Sequence, residues 1–315
     1  MFNKPLTLLS VISIFLPCIF ATPASADPRE TFFARFVVEV DDGGIIHDYG
    51  AANRILAAEL LRTLSQQIPA AVCSLANQID IAEAGQELRD GLAAFDRAAE
   101  AILNGDEDLG IVGAEMRPRL AHEIEKLIAD WAPIHDAAQR VLDNPADSEA
   151  AHTVYAAVDP MLEQTYHLLA GIEGAYSNPV ELLQSDALLL EVSGRMAMMT
   201  SRMAYEACRV ATDGNDDMLI TALRETMQHF EFGLHALRDG APELGVQAAP
   251  TEEIANTLES IASEWTVIDE HLQHVIAGNG LKVAEQEQLY HLLVVELHHV
   301  DALEHMYETY AKRVY

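Results

Sequence analysis

The sequence predicts an all-α protein made of two tandem antiparallel four-helix bundles, and three observations lead there. The chain repeats itself at one offset, its apolar residues recur at helical spacing, and its breaks carry helix-ending chemistry. The repeat is plainest where Phe95-Asp96-Arg97 leads to Asn104-Gly105 and Leu109-Gly110-Ile111. That order returns as Phe230-Glu231-Phe232, Asp239-Gly240 and Leu244-Gly245-Val246, at an offset of 230 − 95 = 135. After one gap, Asp130-Trp131 matches Glu264-Trp265 at 264 − 130 = 134. Cys73 and Cys208 are also 135 apart (208 − 73), as are Tyr155 and Tyr290 (290 − 155). The units fall at 27–177 and 178–315.

Taken in order, residues 1–26 read as a secretory signal peptide. Lys4 supplies a positive start, Leu6–Phe20 is the apolar run, and Ala24-Ser25-Ala26 gives a small-residue cleavage site before Asp27. The run is short for a membrane span, although a retained N-terminal anchor is the alternative reading. Pro17 ahead of Cys18 fits lipoprotein processing poorly. Cleavage leaves 315 − 26 = 289 residues, room for two modest cores. Phe32–Val40 is the only strand-like run.

Helices are expected near 48–78, 82–104, 115–143 and 147–177, then near 180–211, 215–239, 251–277 and 281–314. Asn104-Gly105 and Asp239-Gly240 end second helices with residues that tolerate the left-handed conformation. Thr251-Glu252-Glu253 after Pro250 reads as a helix start, and Asn178-Pro179 separates the units. Leu289, Leu293, Leu297, Val300, Leu303, Tyr307, Tyr310 and Val314 step by threes and fours along one face of the last helix. Four such helices per unit suggest an antiparallel bundle.

Composition narrows the function. Asp and Glu number 50 against 19 Lys and Arg, and only Lys4 of these lies in the leader, leaving 19 − 1 = 18 basic residues. The mature balance of 18 − 50 = −32 repels phosphate backbones and anionic membranes, so no nucleic acid is expected as a partner. No later segment approaches a membrane span, so no stable membrane insertion follows cleavage, and the expected compartment is the periplasm. An exported setting permits a Cys73–Cys208 disulfide, but two buried apolar cysteines are an equally good reading.

The second unit opens with Gly194-Arg195-Met196-Ala197-Met198-Met199-Thr200-Ser201-Arg202-Met203-Ala204. This resembles the signature G-R-Q-R-M-L-S-Q-R-M-A of the N-terminal sensor domain of type IV pili methyl-accepting chemotaxis transducers. It is similar also to a motif in the periplasmic domain of nitrate/nitrite-sensing histidine kinases. Phe230, Leu237 to Gly240 and Trp265 follow in the family's order. In the first unit Glu59 to Ile68 occupies the signature's place. There Arg62, Leu64, Ser65 and Gln66 match it, while Glu59 replaces the glycine and Gln67 a basic residue.

The resemblance implies small-ligand sensing coupled to chemotaxis-type or two-component signalling. In the nitrate sensors it places the key anion contact on an arginine three residues after the glycine, supplied by paired first helices. Arg62 keeps that position, and Ala197 replaces it in the second unit. A guanidinium fork suits a planar oxyanion and never titrates away. The candidate ligand contacts are therefore Arg62, Ser65, Arg195 and Arg202. The bland alternative is that Glu191–Arg195 and Arg202–Glu206 are helix-surface ion pairs worth about 0.3–0.5 kcal/mol each.

Other chemistry is thin. His291, His298 and His305 share a helix face, and His271 and His274 lie three apart, a pattern that three or four imidazoles could use for zinc or copper. The His291 series, however, sits about 200° around the helix from the Leu289 stripe, toward solvent. Glu296-x-x-His299 has the form of a di-iron bundle motif, but the first unit offers only Met161 and Gln164 at the matching positions. The cluster Met196, Met198, Met199 and Met203 reads as packing. No phosphate loop, nucleophile elbow or zincin motif is present, so no metal, no cofactor and no enzymatic activity are expected. The expectation is a periplasmic sensing or binding module that takes a small anion of the nitrate class. The sequence shows no kinase or methyl-accepting region after the last helix, so the module would act through a membrane-bound chemoreceptor or sensor kinase. The rival is a structural protein docking to an envelope or type IV pilus component.

Overall fold

The computed structural model describes residues 51–176, 184–214, 216–278 and 281–313. The leader, the strand-like run Phe32–Val40 and the Asn178-Pro179 joint lie outside them. The described residues form eight α-helices: α1 (Ala51–Ala76), α2 (Ile81–Asn104), α3 (Pro118–Asp143), α4 (Ser148–Tyr176), α5 (Gln184–Asp213), α6 (Asp217–Asp239), α7 (Glu252–Ile276) and α8 (Val283–Arg313).

Local chemistry sets the ends. Asp80, Asp216 and Thr251 cap α2, α6 and α7 by accepting hydrogen bonds from the backbone N–H of Glu83, Met218 and Ile254. Helices α2 and α6 close on Gly105 (φ 86°) and Gly240 (φ 83°), whose N–H groups donate to the carbonyls of Ala101 and Ala236. A side chain at Gly105 would meet the backbone of Gly113 at 2.9 Å, so that position needs glycine twice over. Each closing glycine leads into one short 3₁₀ turn, Glu107–Leu109 or Pro242–Leu244, pinned by an isolated bridge, Asp106 to Ile111 or Ala241 to Val246. Helix α3 starts at Pro118 rather than at the expected 115. The N–H of Glu115 is held in the connector by the Leu103 carbonyl (2.8 Å), and proline favours the first helical position.

In the first bundle α1 packs against α2 and α4, and α3 closes the ring between them. In the second α5 packs against α6 and α8, with α7 closing. Phe95 stacks on Trp131 at 4.0 Å between centroids and Phe230 meets Trp265 at 4.6 Å, tying second to third helices in both units.

The bundles join side by side through their first helices. Arg62 lies against Glu191, Gln66 against Arg202 and Cys73 against Cys208, so α1 and α5 run parallel. Surrounded on all sides, α1 buries nearly every residue from Ala57 to Leu75. One continuous apolar core therefore spans both bundles. Cys73 and Cys208 form a disulfide with Cα atoms 6.2 Å apart, joining repeat-equivalent positions across the seam. No helix among the described residues is long and apolar enough to cross a membrane.

Candidate ligand site at the paired first helices

Arg62 is the centre of the seam. The parallel contact of α1 and α5 brings it, fully buried, beneath α5. Its Nη1 lies 3.4 Å from Glu191 Oε2, and its guanidinium carbon sits 5.2 Å from the centre of the Tyr166 ring. Nε and Nη2 have no hydrogen-bond partner among the described residues. The approach depends on a missing side chain: a Cβ on Gly194 would stand 2.9 Å from Arg62 Nη2. The signature glycine of the second unit thus receives the signature arginine of the first.

Carboxylates crowd this guanidinium. Glu59, one turn before Arg62, is buried and contacts Glu304 of α8. Burial pushes its carboxyl well above the usual range, the Glu304 carboxylate adds to the push, and Arg62 opposes both. Burial and then Glu191 likewise raise Glu173 of α4, against Arg62 and Arg195. Oxygens of Glu59, Glu173 and Glu191 lie within 4.8 Å of one another.

The four sequence candidates divide. Arg195 is half exposed and donates through Nε to Glu191, so that Glu191 bridges Arg62 and Arg195. The structure thereby brings these two arginines to one carboxylate. Arg202 lies two turns on. It holds Glu206 at 2.7 Å and Asp159 of α4 at 3.0 Å, and its Nη1 reaches Gln66 Oε1 at 3.5 Å. Burial pushes the Glu206 carboxyl up, with Arg202 pulling it down. Ser65 belongs to the other side of α1. Its hydroxyl donates to the Arg62 carbonyl at 2.6 Å, and it lines a small apolar cavity of about 10 Å³ with Ile68, Trp131 and Met161.

Sequence reasoning missed Glu59, Glu173 and Glu304 as members of this site, and Glu308, whose charge adds to the push on Glu59. A signal existed: Glu173 and Glu308 stand 135 apart, and Glu304 and Glu308 step by four beside the apolar stripe.

The family model for the type IV pili methyl-accepting chemotaxis transducer N-terminal domain matches residues 50–157 and again 181–289. The chain belongs to this family. Its two matched regions cover the first three helices of each bundle and the start of the fourth, and the paired α1 and α5 carry the signature segment of each. No curated protein matches the chain. This transducer domain is a non-catalytic sensor family, and its members are typically periplasmic.

Proposed function

We propose that the chain is an exported sensing module of the type IV pili transducer family, with units at 27–177 and 178–315 after cleavage behind Ala26. It works as a covalently closed pair of sensor bundles. Its ligand-responsive locus is the α1–α5 seam, where Arg62, Arg195 and Arg202 make the contacts and Ser65 fixes the backbone of Arg62. The observation carrying this reading is a buried guanidinium with two unpartnered nitrogens on paired first helices. The ligand is a small oxyanion of the nitrate class, which takes the place of Glu191 between Arg62 and Arg195. The Cys73–Cys208 disulfide supports the periplasm as its compartment, and a membrane-bound chemoreceptor or sensor kinase is the partner.

Thermal unfolding with nitrate and nitrite tests the ligand. Ten times Kd gives roughly 1.4 kcal/mol, a rise of a few degrees in Tm. Glu191→Gln, which removes the internal competitor, should enlarge the rise. Flat melting curves at millimolar anion for wild type, Arg195→Ala and Glu191→Gln alike would sink the anion reading.

The second reading, docking to an envelope or pilus component, draws on Phe232, Leu244 and Val267, large apolar side chains exposed on the second bundle. Recovery of a stable periplasmic partner, lost on Phe232→Ser, would favour it.

A further inference from the structure

The second bundle carries a cluster that the sensing seam does not use. Glu296 on α8 is fully buried, and no donor among the described residues reaches either of its carboxylate oxygens. Its near polar neighbour is the Glu264 carboxylate of α7. Burial, and then that neighbour, push the Glu296 carboxyl up to about 9. One turn along α8, His299 points the same way and places Nδ1 2.6 Å from Glu264 Oε2. One ligand atom from each of Glu264, Glu296 and His299 lies within 4.8 Å of the others. The outer two are partly exposed, 34% for Glu264 and 44% for His299, so an ion can enter from solvent.

We propose that Glu264, Glu296 and His299 form a divalent metal site of the zinc class on the α7–α8 face of the second bundle. Two carboxylates and one imidazole from two packed helices are a three-ligand set with the fourth position left to water. The set explains the orphaned carboxylate. A buried carboxyl without a donor is costly, and a dication satisfies it without any protein donor. Two carboxylates also cancel the charge of the ion. The surrounding net charge of −31 concentrates cations rather than repelling them.

The first unit shows what the position looks like without this role. There Met161 fills the buried place of Glu296, Gln164 stands for His299, and Asp130 pairs with Lys126 at 2.5 Å and with Gln164. The same frame is thus closed by apolar packing in one unit and left with three convergent ligands in the other.

The test uses the full chain without a histidine tag, stripped with chelator and titrated with zinc chloride by calorimetry, then with cobalt(II) for its visible absorption. Wild type should take up one equivalent and develop the cobalt band. Glu296→Met and His299→Gln, which restore the first unit's residues and therefore suit the fold, should each weaken zinc at least ~100-fold, beyond what loss of a supporting contact does. Both should melt like wild type in chelator. His291→Gln and His305→Gln, which change exposed imidazoles, should bind as wild type does. No saturable equivalent in wild type would overturn the site, as would undiminished binding by Glu296→Met and His299→Gln.

Discussion

The two bundles share a frame and diverge at the places where a side chain meets its neighbour. Gly105 and Gly240 close the second helices alike, the short turns and bridges repeat, and each unit sets a phenylalanine against a tryptophan. At the seam the copies have parted. The first unit supplies Arg62, while the second supplies Gly194, the space that receives it, and carries Ala197 at the position equivalent to Arg62. In a symmetric dimer each partner must present the same residue to the other, so an arginine at this position meets its own charge across the axis. Joining both halves in one chain removes that constraint. One half can specialise as knob and the other as hole, and the α7–α8 face can gain Glu296 and His299 in one copy alone.

The strongest challenge to the pairing is the covalent one. Cys73 and Cys208 close a loop with a sequence separation of 135. Removing that link by reductant or by Cys208→Ala should cost roughly 5 kcal/mol on the chain-entropy account. Urea unfolding with and without reductant measures it. A loss under about 1 kcal/mol would mean that the α1–α5 packing holds the bundles together unaided. Next in size is the aromatic pair within each unit. Phe95→Ala and Phe230→Ala should each cost about 3–5 kcal/mol. The first should cost more, because Phe95 stacks closer and Trp131 is further anchored by donating to Asp96 at 2.7 Å. Equal losses would say that the closer stack adds nothing beyond buried area.

How much of this was legible follows the kind of interaction. The helices and their order came from periodicity and caps, which are properties of neighbours in sequence. Thr251 and Asp239-Gly240 mark their helix ends correctly because a cap acts within four residues. The offset of 135 marked both cysteines as equivalent, yet pairing required knowing that the first helices lie side by side. The arginines were visible through the signature, and so were Glu191 and Glu206, their partners four residues away on the same helix. The carboxylates of other helices were not, because Glu173 and Glu304 reach the seam from fourth helices more than 100 residues away from one half or the other. Glu296-x-x-His299 was seen and set aside for want of a partner in the first unit. Its third member, Glu264, comes from the neighbouring helix, where the repeat showed only an acid beside a tryptophan.

The knob-and-hole contact itself gives a smaller effect. Arg62→Ala leaves Glu191 with Arg195 alone, and should cost about 1–3 kcal/mol, below the value for a fully buried pair because Glu191 is partly exposed. Gly194→Ala attacks the same contact from the other helix by pushing Arg62 Nη2 off its present position. If the two residues act as one unit, the double variant should lose less than the sum of the singles. Additive losses in urea unfolding would separate them.

The finest distinction between the units is Glu59, standing where the second unit has Gly194. Its folded carboxyl holds a proton to higher pH than it does in the unfolded chain, because burial and Glu304 disfavour the charge more than Arg62 favours it. The sign follows. The contribution is complete below the unfolded value of about 4.3 and falls away as pH rises, since the unfolded state then releases a proton that the folded state keeps. Stability should therefore decline from pH 5 to pH 8, and Glu59→Gln should flatten that decline. An unchanged slope in Glu59→Gln would assign the decline to the other carboxyls that burial raises, Glu173, Glu206 and Glu296.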